Sequence, residues 1–563
     1  MKFEIRNPKF ETSTKAQNPK FKTCPRVAPA FRSFVLRVLN LFRISDFGFG
    51  ASAVLLCVSS LPSAAWSGDQ AQWGQAFTRN MVSAETGLVD SFDPATGKNI
   101  RWAVPLGSQT WSTPVVAQGR VFIGTNNDVP RDPRHKGDRS VLLCLDEKDG
   151  HLLWQLVCPK LGTDIYLDWP RAGMCSPPTV EGNRVYFITN RNEAVCLDIE
   201  GQANGNDGPY RDEGRHMTAN RRTSLVARGS TLVPQDANDE TGTLDVTPMD
   251  ADIIWLFDIP RQAGTWPHDG AHGSMLIDGD FLYVNTCNAV DNTHRRIRCP
   301  DGPSLIVLDK KTGRLVARDY EGIGPRIFHS TWSCPALGVV NGRKLIFFCG
   351  GDGVVYAFDP LQTTPPDGKV ESLKRVWRFD CDPTGPKENV SQYLRNREQS
   401  PSNIKSTPVF FNNRVYVTVG GDIWWGKNQA WLKCIAAAKE GDITATGLIW
   451  SCDLKEHCCS TPSVRDGLVY VADCGRQIYC IDAETGKVCW TQDAKGDIWA
   501  STLVADGKIY IGTNRGDFWI LAAGREKKVL STLRLDSAIS STAIAANGVV
   551  YVATMTKLYA LQK

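Results

Sequence analysis

The sequence predicts an all-β fold, an eight-bladed β-propeller closed by pairing of an N-terminal strand with the C-terminal blade, and three observations carry that prediction. A Ser-Thr-Pro-Val-like start recurs eight times, at Ser112, Ser176, Ser274, Ser333, Ser406, Ser460, Ser501 and Ser541; the last two steps are 41 and 40 residues. A period near 40 with several strands per unit is a propeller-blade signature. A hairpin of the form Asp-x-x-Thr-Gly-Lys/Arg follows several starts, intact at Asp93 to Lys98, Asp309 to Arg314 and Asp482 to Lys487 and degraded at Asp146 to Gly150. Trp102, Trp154, Trp377, Trp450 and Trp490 then close their units, each with a large area to bury between adjacent sheets.

Along the chain, residues 1–67 come first and differ in kind. They hold ten Lys or Arg and three acids, an apolar run from Phe47 to Leu61, and the small-residue stretch Ala64-Ala65-Trp66-Ser67. This reads as a signal peptide with a basic N-terminal extension, cleaved near Ser67, with an uncleaved anchor as the alternative. No later stretch is long and apolar enough to span a bilayer. Residues 68–563 form the single propeller. Within them Asp93 to Trp102 is a blade ending with no strands of its own before it, and the last unit, from Ser541 to Leu561, stops before its hairpin and tryptophan. The two are expected to pair, which removes an open sheet edge.

Each blade is legible as strands. Val469-Tyr470-Val471 and Ile478-Tyr479-Cys480-Ile481 run apolar between glycines, as suits strands covered on both faces. The hairpin Asp accepts from backbone N–H groups two residues on, and Gly supplies the positive φ that closes the loop. The longest step, 98 residues, contains 201–250, rich in Gly, Asn, Asp, Arg and Thr, and is expected to be an exposed, partly disordered insertion.

The whole chain carries +4 and residues 1–67 supply +7 of it, leaving about −3 for the mature protein. With no concentrated basic face, nucleic acid is set aside. Sixteen of 18 cysteines fall after residue 67, and export permits disulfides. Cys287 with Cys299, around an insert, and Cys158 with Cys175, across a blade junction, are candidate pairs. Cys-x-x-Cys-His is absent, which excludes covalent haem of that type.

The segments preceding the Ser-Thr-Pro strands should converge on the mouth of the central channel. They contribute Trp111, Arg171, Met174, His268, His272, His329, Trp332, Lys405, His457 and Trp499, a mixture of aromatic, cationic and imidazole groups suited to an anionic or aromatic ligand or a partner's extended segment. His268, His272 and His329 together offer three imidazoles, but Trp266 to Gly270 reads as a loop, so the four-residue spacing loses its helical meaning and no metal is expected.

The Ala/Cys-x-Asp-x-x-Thr-Gly-Lys-x-x-Trp hairpins over roughly residues 90–563 resemble the pyrroloquinoline-quinone-repeat (PQQ-like) propellers. That group includes quinoprotein alcohol dehydrogenases and the propeller lipoprotein of the outer-membrane barrel-assembly machinery. Trp255 to Asp258, Asp309 to Gly313 and Gly350 to Asp359 are most similar to exported planctomycete propellers with no assigned activity. The resemblance implies two functions. One is a binding or assembly scaffold in the periplasm or cell envelope, a monomer with an envelope partner, no catalytic residue and no cofactor. The other is a dehydrogenase using PQQ and calcium to oxidise an alcohol or sugar. In that enzyme family a vicinal disulfide packs on the quinone, and Cys458-Cys459 would be its counterpart. The glycines and acids that surround the enzyme pair are missing around Glu456 to Ser460, and the enzyme's calcium-binding Glu and Asn and its catalytic Asp have no recognisable match.

Overall fold

A computed structural model describes residues 68–161, 168–218, 224–228, 231–235, 242–269 and 273–563. The expected signal segment 1–67 lies outside them. The described strands make eight blade sheets of four antiparallel strands, two of them extended by a short parallel fifth strand, plus a separate hairpin, Ser224–Arg228 with Thr231–Gln235. The sixth blade shows the bare plan: Ser463–Arg465, Leu468–Ala472, Gln477–Asp482 and Val488–Asp493, in that spatial order. The eighth contains Ile544–Ala546, Val549–Ala553 and Lys557–Leu561, and its fourth strand is Ile100–Pro105. Trp102 faces Ala560 and Val104 faces Leu558 in that antiparallel pair. The two ends of the propeller therefore share a sheet, which closes the ring.

The core lies between blades, as eight apolar clusters each shared by two neighbours. Middle strands are buried on both faces, Leu468–Ala472 throughout, while the outer strand Leu448–Leu454 alternates once packing on one face suffices. The closing tryptophans pin one blade to the next. The indole N–H groups of Trp102, Trp154, Trp255, Trp377, Trp450 and Trp490 donate to the carbonyls of Glu147, Ile199, Lys310, Ala437, Ala483 and Gly524. The hairpin glycine makes room for them: Gly486 has φ +71°, and a Cβ there would sit 2.7 Å from the Trp450 ring.

The repeated Ser-Thr-Pro start has an equally direct cause. Backbone N–H groups of Cys334, Thr407, Thr461, Ser501 and Thr542 donate to the side-chain hydroxyls of Thr407, Thr461, Ser501, Thr542 and Thr113 at 2.9–3.2 Å. Ser274 N–H donates to the Cys334 thiol, and the Ser112 and Ser176 hydroxyls donate to the Ser176 and Gly273 carbonyls. One hydrogen-bonded belt thus links all eight inner strands around the axis.

Residues 70–83 make a second circuit that the sequence did not announce. The Gln70, Ala71, Phe77, Thr78 and Met81 carbonyls accept from Val116, Val180, Leu337, Phe410 and Val504, on blades one, two, four, five and seven. Asn80 exchanges two bonds with Val464 on blade six, and the Ser83 hydroxyl reaches Ala545 on blade eight. Arg79, wholly buried, reaches blade three through the Ser274 and Met275 carbonyls, and also donates to Pro335 and Trp73.

The 201–250 stretch is exposed over much of its described part but packs onto the propeller in one segment. It enters between the third and fourth strands of blade two, Glu193–Asp198 and Ile253–Asp258. Glu213, Gly214, His216 and Met217 are buried, and His216 Nε2 lies 2.9 Å from the buried Glu193 carboxylate. The segment is therefore folded onto its blade there, held by buried polar contacts that a composition argument does not see. Among the described residues no helix is long and apolar enough to cross a membrane.

Candidate functional site

The belt of Ser-Thr starts encircles a cavity of about 780 Å³ on the propeller axis. Thr113, Cys334, Thr407, Thr461, Ser501 and Thr542 contribute its girdle, and Trp73, from the segment that crosses the axis, lines it too. Four tryptophans face one another there. Trp111 and Trp499 have ring centroids 5.7 Å apart, Trp499 and Trp332 6.2 Å, Trp332 and Trp424 6.1 Å, and Trp424 and Trp499 5.8 Å. The Lys405 ammonium lies 4.2 Å from the Trp332 ring centre and 5.4 Å from that of Trp424.

Of the residues predicted at the mouth, Trp111, His329, Trp332, Lys405 and Trp499 line this cavity. His268 is buried just behind His329, and His272 lies outside the described residues. Three do not line it. Arg171 pairs with Asp128 at 2.5 Å on the exposed surface, Met174 is wholly buried against Gly124, and His457 is buried with Nδ1 2.9 Å from the Gly421 carbonyl. Each precedes an inner strand, as expected, but the turn carrying it points the side chain into the blade or out of it. Trp73, Trp169, Trp424, Trp425, Asp269 and His294 line the cavity and escaped prediction. Trp424 and Trp425 hang from a loop between two strands of blade five, Arg414–Gly420 and Ala430–Ala436, and only the unusual length of that loop hints at them.

The polar wall of the cavity is built on two carboxylates, the buried Asp422 and the partly exposed Asp269. Asp422 accepts from the Trp424 and Trp425 backbone N–H groups at 3.0 Å, and its other oxygen lies 3.0 Å from His329 Nδ1, 3.2 Å from Asn403 Nδ2 and 3.3 Å from Lys405 Nζ. Burial alone would raise its pKa; His329 and Lys405 reverse that and hold it well below the usual carboxylate range. Asp269 accepts from Trp169 Nε1 at 3.0 Å and the Ser330 hydroxyl at 3.1 Å. His268, His294 and His329 cluster against it, and burial pushes His268 down to about 3 and lowers His294.

Cys175, Cys299, Cys458 and Cys459 are thiols in the structure, so the pairs Cys158–Cys175, Cys287–Cys299 and Cys458–Cys459 are not formed. Neighbouring side chains on an extended segment point to opposite sides. Accordingly Cys459 lines the cavity while the Cys458 thiol turns into blade six, donating to the Ala472 carbonyl at 2.9 Å.

Comparison with known proteins agrees with this architecture. Residues 64–160 and 439–563 match the family model described as "Outer membrane protein assembly factor BamB". No curated protein matches the chain. Among solved structures, BamB from Moraxella catarrhalis is 12% identical, covering 82% of this chain and 98% of its own, with a TM-score of 0.47. The quinohemoprotein alcohol dehydrogenase ADHIIG from Pseudomonas putida HK5 is 11% identical, covering 88% and 80%, with a TM-score of 0.52. That from Comamonas testosteroni is 13% identical, covering 88% and 81%, at 0.44.

A quinone held with calcium does not fit the groups present. Calcium takes six to eight oxygen ligands, whereas here Asp168 is paired with Lys160 at 2.6 Å and Asp422 with Lys405 and His329. The nearest concentration of further donors is imidazole nitrogen, and the cysteine plate is absent. The ring of eight blades, with the family model matched at both ends of the chain, supports a likeness to the PQQ-like β-propellers.

Proposed function

We propose that this protein is an exported binding scaffold of the cell envelope, which receives a flat aromatic group in its axial cavity. The group is either a small ligand or a side chain on a partner's extended segment. The observation that carries this reading is the set of four mutually packed tryptophans around a cavity of about 780 Å³, a size in the range of small-molecule sites. Stacking on indole suits any π surface, and the Lys405 ammonium lies over two of the rings. A periplasmic location, cleavage near Ser67 and a monomeric state belong to the same reading and rest on the sequence. A PQQ- and calcium-dependent dehydrogenase is disfavoured by the donor set.

Tryptophan fluorescence titration with a neutral planar aromatic, 2-naphthol, tests it. Saturable quenching is expected in the wild type, weakened at least tenfold in Trp499→Ala. A linear, non-saturating response up to millimolar probe overturns the reading. Incubation with PQQ and calcium is expected to leave no quinone absorbance after gel filtration.

A further inference from the structure

We propose that His268, His294 and His329, with Asp269 beside them, form a binding site for one first-row divalent transition-metal ion of the zinc class in the wall of the axial cavity. The three histidines come from separate segments. His268 follows blade two and is tied by its backbone N–H to the Cys287 carbonyl; His294 sits in the long loop between Phe281–Asn285 and Leu305–Asp309 of blade three; His329 precedes blade four. They nevertheless meet. Their ring centroids are 4.9, 4.8 and 5.2 Å apart, and one nitrogen from each lies within 4.8 Å of the others.

The spacing is that of a coordination shell. An ion bound tetrahedrally at about 2.0–2.1 Å keeps its donors roughly 3.3 Å apart. His268 Nε2 and His329 Nε2 are 3.1 Å apart, and the Asp269 oxygens stand 3.5 Å from the first and 3.9 Å from the second. Two ring nitrogens facing each other at that distance share a single proton at best; a cation between them satisfies both lone pairs.

The tautomer is set from behind. Asp422 can only accept from His329 Nδ1, so the proton rests on Nδ1 and the Nε2 lone pair faces His268. A carboxylate holding the rear nitrogen of a histidine in this way is a recurrent outer-shell feature of metal sites, and Asp422 is itself fixed by two backbone N–H groups, Asn403 and Lys405. The charges agree, since Asp269 and Asp422 outnumber Lys405. Three imidazoles and one carboxylate suit zinc, copper, nickel or iron rather than calcium or magnesium. Because Asp269, His294 and His329 line the cavity, an exchangeable position on the ion would face its occupant. A second buried group, Asp132, His135 and Asp250, is a weaker candidate, because the Arg134 guanidinium bridges its two carboxylates.

The test uses the full mature chain, stripped with chelator and reloaded with zinc or cobalt(II). One equivalent of zinc is expected to stay bound through gel filtration, and one of cobalt(II) to give visible d–d bands. Both should be lost in His294→Ala and His329→Gln and unaffected in His151→Ala, which removes an exposed histidine near Asp146 and Asp149. Asp422→Asn, a positioning change, should weaken zinc 10- to 100-fold and shift the cobalt bands. Circular dichroism verifies folding of each variant. Absence of stoichiometric metal and cobalt bands in the folded wild type, or their loss in His151→Ala alone, overturns the proposal.

Discussion

Blades six to eight and blades two to five follow one plan yet differ in what they contribute. The former are bare units, with steps of 41 and 40 residues; the latter run to 98, 59, 73 and 54. The family model matches 64–160 and 439–563 and stops short of the padded stretch between. His268, His294, His329, Trp424 and Asp422 all lie in that stretch. The regular half supplies ring geometry, and the padding between its strands supplies most of the chemistry. What the two halves share is the circuit of residues 70–83.

The largest effect should come from breaking that circuit. Arg79→Ala leaves buried carbonyls on two blades and in the crossing segment without donors, at roughly 1–3 kcal/mol each, so a loss of about 4 kcal/mol or more is expected in urea unfolding. The transition should remain single; two separate transitions, one for each half, would show that the halves are independent and the comparison false. Next comes a matched pair of glycines. Gly486→Ala forces a Cβ to 2.7 Å from Trp450 at φ +71°, whereas Gly368, at φ +77° in the padded half, has nothing within 4 Å of its Cβ position. The first is expected to cost about 2–3 kcal/mol and the second about 1 kcal/mol, which is the left-handed strain alone; equal costs would mean that the indole clamps contribute nothing.

The smallest effect concerns the seam between the halves, where His457 meets the Gly421 carbonyl. Burial lowers the His457 pKa below its ordinary 6.5. The unfolded chain therefore takes up the proton first as pH falls, so this contribution to stability is complete above about pH 6.5 and is lost below it. His457→Gln should flatten the stability profile between pH 6.5 and 5 by a few tenths of a kcal/mol to about 1 kcal/mol. An unchanged slope would assign the acid sensitivity elsewhere.

The ring was legible because its determinants are local and repeated. A Ser-Thr start, a Thr-Gly hairpin and a closing tryptophan each do their work within one blade or against the next, so eight copies could be counted and the clasp at Trp102 anticipated. The candidate site was only half legible. Trp111, Trp332 and Lys405 sit one residue before a start and Trp499 two, and they were found by that nearness. Trp424, Asp269 and His294 are positioned by loops of no fixed length, and His294 meets His268 only through folding of the blade-three loop. Arg79 gave no signal, since a lone arginine in a polar stretch reads as solvated, and only the ring closing over it makes it the most buried cation of the protein's first blade-spanning segment.

The circuit of residues 70–83 also imposes an order in time. Ser83 is among the first described residues to leave the ribosome, and its partner Ala545 follows 462 positions later. Contacts of such sequence separation form slowly. Blades one and two can meet Gln70 and Ala71 early, whereas the contact with the last blade must come at the end, so removing that blade should leave the circuit open at Ser83.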